Sequence, residues 1–267
     1  MRLYDGFLVH QSVSDDGVIE VVDTGATRSM HFGTFPRQSC MSLETPHTLE
    51  LSYTEAMMAA LLLNPQPEKV LVIGLGGGSL LKFLLHHFPD CQIDVVEYRS
   101  DVIRVAHQYF DVPEDDPRVS IQLGDGYLYA QQRCYQDNVE YDMVLVDAYD
   151  HAGMAASVGV PAFFDACAGL LSLNGVMSIN LWGSNRPMFK MMMERINQSF
   201  KGQSMILPVE DKGNIIGLAT KKQVSQSALK QLKVIVDELE LQFDVNLPRS
   251  LRDLTKRNRP FIGRLLF

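Results

Sequence analysis

The stretch Lys69–Leu80, KVLVIGLGGGSL, constrains this chain more than any other. Val70, Leu71, Val72 and Ile73 form a continuous apolar run, the pattern of a strand buried on both faces of a parallel sheet. Gly74, Gly76, Gly77 and Gly78 follow at once. A strand that passes through a glycine turn into a helix must reverse sharply. Glycines let its backbone approach a ligand closely, while the free N–H groups of the next helix point at that ligand. The stretch reads as a nucleotide-sized cradle, with a ligand-free structural turn as the competing reading.

Glu97 favours the cradle. It ends Gln92-Ile93-Asp94-Val95-Val96, the next expected strand, nineteen residues past Gly78. An acidic residue at that place is positioned to accept hydrogen bonds from both hydroxyls of a ribose. Nucleoside binding becomes the leading reading.

Length and composition limit the alternatives. A chain of 267 residues that is 46% hydrophobic buries a substantial core as one domain with a small appendage. The 24 Lys and Arg against 32 Asp and Glu leave a net charge of −8, which argues against a general nucleic-acid or anionic-membrane binder and suits a soluble enzyme with a cationic substrate. Cys40, Cys91, Cys134 and Cys167 show no metal or disulfide spacing, and free, mostly buried thiols are expected. The N-terminal MRLYDGFLVH has no signal-type apolar segment and no run of about 18 apolar residues occurs, so a cytoplasmic location is expected.

In chain order, Val18–Val22 and Arg28–Phe32, separated by Asp23-Thr24-Gly25, predict a small antiparallel sheet before about Leu51. Ser52 is expected to cap a helix through Tyr53, Met57, Ala60 and Leu61. Helices are expected over Leu80–His87, Ser100–Phe110, Pro161–Leu171 and Phe189–Phe200, alternating with strands at Val119–Leu123, Met143–Val146 and Gly175–Leu181. A hairpin, Ser204–Leu207 with Asn214–Ala219, closes the alternation, and one helix is expected from about Ser227 to Leu239. The basic segment Arg249–Arg264 reads as a solvated surface, and the adjacent His86 and His87 as a solvated helix end that makes a poor metal pair. The expected domains are a β-domain at 1–51, an α/β domain at 52–222 and a helical extension at 223–267.

Two further carboxylate sites sit at strand ends. Asp125, in Gly124-Asp125-Gly126 after the third strand, lies on the edge where open α/β sheets bind ligands. It is placed to meet an adenine amino group, with Gly126 giving room; a plain Asp-Gly turn competes. Asp147 and Asp150, in Asp147-Ala148-Tyr149-Asp150 after the fourth strand, are crowded carboxylates. Crowding of this kind is costly unless the pair binds a cation or moves protons, which makes it the best catalytic candidate, against a capping role for one of them.

The α/β alternation closed by a hairpin resembles the Rossmann-like class I methyltransferase fold, a mostly parallel seven-stranded sheet that binds S-adenosylmethionine or a derivative. Within it the chain resembles the spermidine synthase family of polyamine aminopropyltransferases over about residues 7–220. The matching motifs are Ser52-Tyr53-Thr54-Glu55-Ala56-Met57, the glycine turn, Val96-Glu97, Asp116-Pro117-Arg118-Val119, Gly124-Asp125-Gly126 and Asp147-Ala148-Tyr149-Asp150. The resemblance implies aminopropyl transfer from decarboxylated S-adenosylmethionine to a small amine, without a metal. Glu97 would hold the ribose, Asp125 the adenine, and Asp147 would act as base, with Tyr53, Tyr149 and Asp150 at the acceptor. A homodimer is implied by the resemblance alone.

Four departures fall mainly on the amine half. Gly77 replaces the family's acidic residue in G-G-G-D-G-G, Thr54 replaces His or Gln, Leu207 stands where acceptor-binding members have Tyr, and His151 where they have Pro. A methyltransferase using intact S-adenosylmethionine and a non-catalytic nucleoside-binding homologue are the rival readings. A nicotinamide-dependent dehydrogenase fits the terminal hairpin less well.

Overall fold

The computed structural model describes residues 1–137, 139–150, 153–210 and 213–258, with only the backbone at 150, 153, 154 and 156. The chain begins as a five-stranded antiparallel sheet: β1 (Arg2–Leu3), β2 (Gly6–Ser14), β3 (Gly17–Thr24), β4 (Thr27–His31) and β5 (Arg37–Ser42), in that spatial order. After a loop come α1 (Ser52–Met57) and a 3₁₀ turn over Met58–Leu62. The α/β part then runs β6 (Lys69–Ile73), α2 (Ser79–His87), β7 (Gln92–Glu97), α3 (Ser100–Tyr109), β8 (Val119–Leu123), α4 (Gly126–Gln132) and β9 (Tyr141–Val146). A short pair, β10 (Tyr149–Asp150) with β11 (Gly153–Met154), leads to α5 (Pro161–Leu170), β12 (Leu171–Trp182), α6 (Arg186–Ser199), β13 (Ser204–Pro208) and β14 (Asn214–Thr220).

Seven of these strands form one sheet in the order β13-β14-β12-β9-β6-β7-β8. The strands β12, β9, β6, β7 and β8 are parallel, whereas β14 runs antiparallel to both β12 and β13. A two-sided parallel sheet needs apolar residues on both faces, and β6 supplies them. Val70 and Val72 join the core on the side of α2, while Leu71 and Ile73 join the core under α5 and α6. Each such fully buried side chain contributes about 1.5–3 kcal/mol relative to exposure.

The N-terminal sheet docks on α3. Ile19, Val21, Met30 and Phe32 pack with Val102, Val105 and Phe110, while Ser14 Oγ donates to Asp101 Oδ2 at 2.8 Å. Arg99, 5% exposed, pairs with Asp101 at 2.8 Å, and its guanidinium stacks over Phe32. Desolvation of this pair is offset by its fork geometry and the aromatic face.

Several expectations are corrected. Ser52 does not cap α1: it is the first helical residue, and Leu51 is the cap, with its carbonyl accepting from Thr54 N at 2.9 Å. The helix expected from Ser227 to Leu239 is α7 (Gln226–Gln231), a 3₁₀ turn over Leu232–Val234 and α8 (Val236–Phe243). The β-branched run Val234-Ile235-Val236 falls at the break, where helix propensity is weakest. The basic segment begins as α9 (Leu247–Arg257), which buries Leu247, Leu251 and Leu254 on one face and exposes Arg252 and Arg257; residues 259–264 lie outside the described ones. Of the two histidines ending α2, His86 is exposed as expected and stacks on His47 at 3.6 Å between centroids, whereas His87 is half-buried against Phe83 and Phe243.

After α9, the Asn258 side chain donates to Ile206 O at 3.1 Å and accepts from Ile206 N at 2.9 Å, occupying the outer edge of β13. The cysteines Cys40, Cys91, Cys134 and Cys167 are free thiols. Among the described residues no helix is long and apolar enough to cross a membrane.

Gly74 decides where the site forms. Its φ is +97°, and a Cβ there would lie 2.2 Å from the Asp147 carbonyl oxygen. Gly74→Ala is therefore expected to cost about 3 kcal/mol or more, from a left-handed backbone and a clash with main chain that has no rotamer to escape to. Thermal unfolding should show a Tm lowered by about 5–10 °C. A change of under a degree would mean that the two loops are not held together at this point.

Candidate active site

The carboxyl ends of β6, β7, β8 and β9 lie along one edge of the sheet, and these ends and the loops that follow them carry the predicted residues except Tyr53, which lies on α1. The turn after β6 is shaped by Gly74, Gly76 (φ +53°) and Gly78 (φ +70°), and Gly78 is the N-cap of α2. A Cβ at Gly78 would meet Val112 Cγ2 at 2.3 Å, so this glycine serves both backbone geometry and close packing.

Glu97, 8% exposed, ties the turn to β7. Its Oε2 accepts from Leu75 N at 2.8 Å and its Oε1 from Arg99 N at 2.9 Å. Burial raises its pKa above the ordinary carboxylate value, opposed by the backbone N–H groups of Leu75, Arg99 and Gly76. Each carboxylate oxygen has a further lone pair, so two backbone bonds leave acceptor capacity for a ribose diol.

Asp125 has a structural role in the fold. Its Oδ1 accepts from Tyr127 N at 2.9 Å and Leu128 N at 3.0 Å, which makes it the N-cap of α4. Oδ2 makes neither of these bonds and remains an acceptor for a ligand amino group. Gly126 owes its identity to packing: a Cβ there would lie 2.4 Å from Ile73 Cγ2, so α4 starts close against the end of β6.

Asp147 follows β9, and its backbone N donates to Ile73 O at 2.8 Å, extending the parallel pairing into the loop. Tyr53 Oη donates to its Oδ2 at 3.0 Å, and Asn180 Nδ2 donates to its Oδ1 at 2.9 Å. Burial pushes its pKa up, while these two donors pull it down. The Tyr53 hydroxyl is pushed well above its ordinary value by burial and by the Asp147 charge, and burial does the same to Tyr149, whose hydroxyl donates to Asn180 O at 2.9 Å. A poised carboxylate between a phenol and an amide is a proton acceptor held in a defined direction.

The remaining residues stand less favourably. The Asp150 backbone pairs with Gly153 in β10–β11, and its side chain lies outside the described residues, as does all of His151. Thr54 Oγ1 donates to Leu51 O at 2.7 Å and is 3% exposed, so its only hydrogen-bond donor is already engaged. Leu207 is buried in the core. At Gly77 a Cβ would meet Ser39 Oγ at 2.6 Å and Phe110 Cδ1 at 2.8 Å; no acidic side chain fits here without movement. Beneath it the buried Lys82 ammonium donates to Gly77 O at 3.0 Å and to Phe110 O at 2.5 Å, and burial lowers its pKa to about 8.

Sequence reasoning missed Asn180, although the signal was present. Asn180 interrupts the apolar end of β12, and a buried amide in a central strand requires a partner. Among the described residues no group of three or more His, Cys, Asp or Glu side chains is arranged to hold a metal.

Residues 50–210 match the model of the spermine/spermidine synthase domain. The polyamine aminopropyltransferase of Chromobacterium violaceum is 32% identical over 248 residues, 93% of each chain. That of Neisseria meningitidis serogroup A is 30% identical over 90% of each. Among solved structures, spermidine synthase from Thermotoga maritima aligns with a TM-score of 0.71 at 20% identity, covering 92% of this chain and 83% of its own. A spermidine synthase in complex with the transition state analogue AdoDATO gives 0.66 at 20% identity, covering 89% and 88%. Human methyltransferase-like protein 13 in complex with SAH gives 0.62 at 22%, covering 81% and 98%. At these identities the structural likeness is one of fold.

If Glu97 is the acceptor for the two hydroxyls of a ribose, replacing it by Ala removes both hydrogen bonds. Calorimetry on the folded variant should show methylthioadenosine binding weakened by roughly 2–4 kcal/mol, about 30-fold or more. Unchanged affinity would move the nucleoside away from β7.

Proposed function

This chain belongs to the spermine/spermidine synthase family, and on that basis we propose that it transfers an aminopropyl group from decarboxylated S-adenosylmethionine to a small amine. The observation that carries this reading is the position of Asp147. Its carboxylate receives donors from Tyr53 and Asn180, and its backbone carbonyl abuts Gly74 of the nucleoside cradle. Base and cradle are therefore neighbours.

The chemistry needs that proximity. A protonated amine is not a nucleophile, so a carboxylate must both attract it and take one of its protons. The freed amine nitrogen then attacks the propyl carbon bonded to the sulfonium sulfur. The carbon–sulfur bond breaks with its electron pair passing to sulfur, and methylthioadenosine leaves as a neutral thioether. In this reading Glu97 holds the ribose, Asp125 Oδ2 meets the adenine amino group, and Gly74, Gly76, Gly77 and Gly78 let the backbone approach the donor. Tyr53 and Tyr149 border the acceptor.

Asp147→Asn keeps the shape and removes the base. Turnover should fall by about 10²–10⁴-fold while methylthioadenosine affinity stays nearly unchanged. The assay screens putrescine, cadaverine, agmatine and spermidine against the decarboxylated and intact donors. Full turnover by this variant with an acceptor that the parent uses would remove Asp147 from the mechanism.

The Gly77 environment makes a separate prediction about the donor. Ser39 and Phe110 occupy the space that an acidic side chain would need, and the Lys82 ammonium lies behind the loop, donating to Gly77 O. The aminopropyl ammonium thus lacks a counter-charge from this position, and the carboxylate of intact S-adenosylmethionine lacks a repulsive neighbour. Calorimetry should show a preference for the decarboxylated donor roughly ten-fold weaker than in a homologue with Asp at that place. A preference of equal strength would show that another side chain supplies the charge.

A further inference from the structure

Asn214 lies three strands from β6 and its glycine turn, on the antiparallel strand β14, outside the motifs that carry the family resemblance. It is 8% exposed, and its Nδ2 donates to Asn180 Oδ1 at 2.9 Å. Asn180, 3% exposed, in turn donates from Nδ2 to Asp147 Oδ1 at 2.9 Å. Trp182 pairs with Asn214 in the sheet and Asn180 is two residues from Trp182, so both amides project from the same face. On that face Ser178 Oγ donates to Met57 O, at the end of α1. The three side chains form a line from β14 through β12 to the end of β9.

The order of the amides follows from chemistry. An ionised carboxylate only accepts, so Asn180 must present its nitrogen to Asp147. Its oxygen then faces Asn214, which must present a nitrogen in return. Without Asn214, the Asn180 amide could turn over and bring its oxygen against the Asp147 carboxylate, replacing an attraction by a repulsion.

We propose that Asn214 is a positioning residue for the transfer reaction. It fixes the Asn180 amide so that one oxygen of Asp147 is always engaged from β12 and the other from Tyr53, leaving the base a single direction in which to meet the amine. This inference rests on the aminopropyl-transfer reading. Among the described residues, the titratable groups facing Asp147 are Tyr53 on α1 and Tyr149 on β10, both kept as neutral phenols by burial and by the Asp147 charge. The Asn180 and Tyr53 donors oppose the rise that burial imposes on Asp147. Activity that needs the carboxylate form is lost as pH falls through that raised value, so loss of a donor moves the loss to higher pH.

The test is Asn214→Leu in the full chain, with Asn214→Asp, close in size and shape, as the second variant should leucine prevent folding. An ionised Asp at 214 accepts only, and it therefore competes with Asp147 for the Asn180 nitrogen. Both variants should lose about ten-fold or more in kcat/KM at neutral pH. The acidic limb of the kcat/KM profile should move up by about one pH unit, with methylthioadenosine affinity unchanged. A merely structural role would lower Tm and nucleoside affinity without moving the limb, and that outcome, or a profile identical to the parent's, would overturn the proposal. If the parent transfers no aminopropyl group to any amine tested, the functional reading falls. Titration of the Asp147 carboxyl by carbon-13 NMR then still decides the relay: a higher pKa in the variants supports it and an equal one overturns it.

Discussion

The site depends on the approach of the β6–α2 turn to the end of β9. Gly74 has no side chain because the Asp147 carbonyl occupies the place a Cβ would take, and Asp147 N continues the strand pairing to Ile73 O. Two loops that begin on adjacent parallel strands are thereby held at backbone contact. Glu97 completes the clamp from the other side by accepting the Leu75 N–H. Site geometry is thus a property of the main chain and the sheet register, and side chains only finish it.

How much of this was legible depended on how local each signal was. The two-faced apolar run of β6, the glycines and the spacing to Glu97 are written in contiguous residues, and the structure places them as expected. Asp125 was ambiguous because turn and ligand readings both need a carboxylate after a strand, and one oxygen caps α4 while the other is not engaged by that cap. Asn180 and Asn214 were illegible as a pair: they are far apart in sequence and become partners only through the antiparallel insertion of β14 beside β12. The single helix expected from Ser227 to Leu239 is broken by the 3₁₀ turn over Leu232–Val234, beside the β-branched run Val234-Ile235-Val236, a local cost that composition over the whole segment does not show.

The two halves of the site differ in how they use their polar groups. Glu97 and Asp125 satisfy backbone N–H groups and still have acceptor capacity, as a carboxylate can. Thr54 and Leu207 do not: one has its hydroxyl bonded to Leu51 O, and the other belongs to the core. In the proposed reading, an amine at Asp147, Tyr53 and Tyr149 would face a wall more apolar than the family motif implies, and acceptor choice would rest on shape and on a few phenols as much as on charge.

Asn258 closes the edge of β13 with a side chain that mimics a peptide group, offering Ile206 both a donor and an acceptor. An uncovered outer strand is a template for another chain, since its free N–H and C=O groups pair as readily with a neighbour as with their own sheet. During synthesis, β13 emerges some fifty residues before the amide that covers it. Until α9 folds back, the nascent protein carries an open ladder at Ile206, which the Asn258 amide then satisfies with the bonds that a neighbouring strand would otherwise offer.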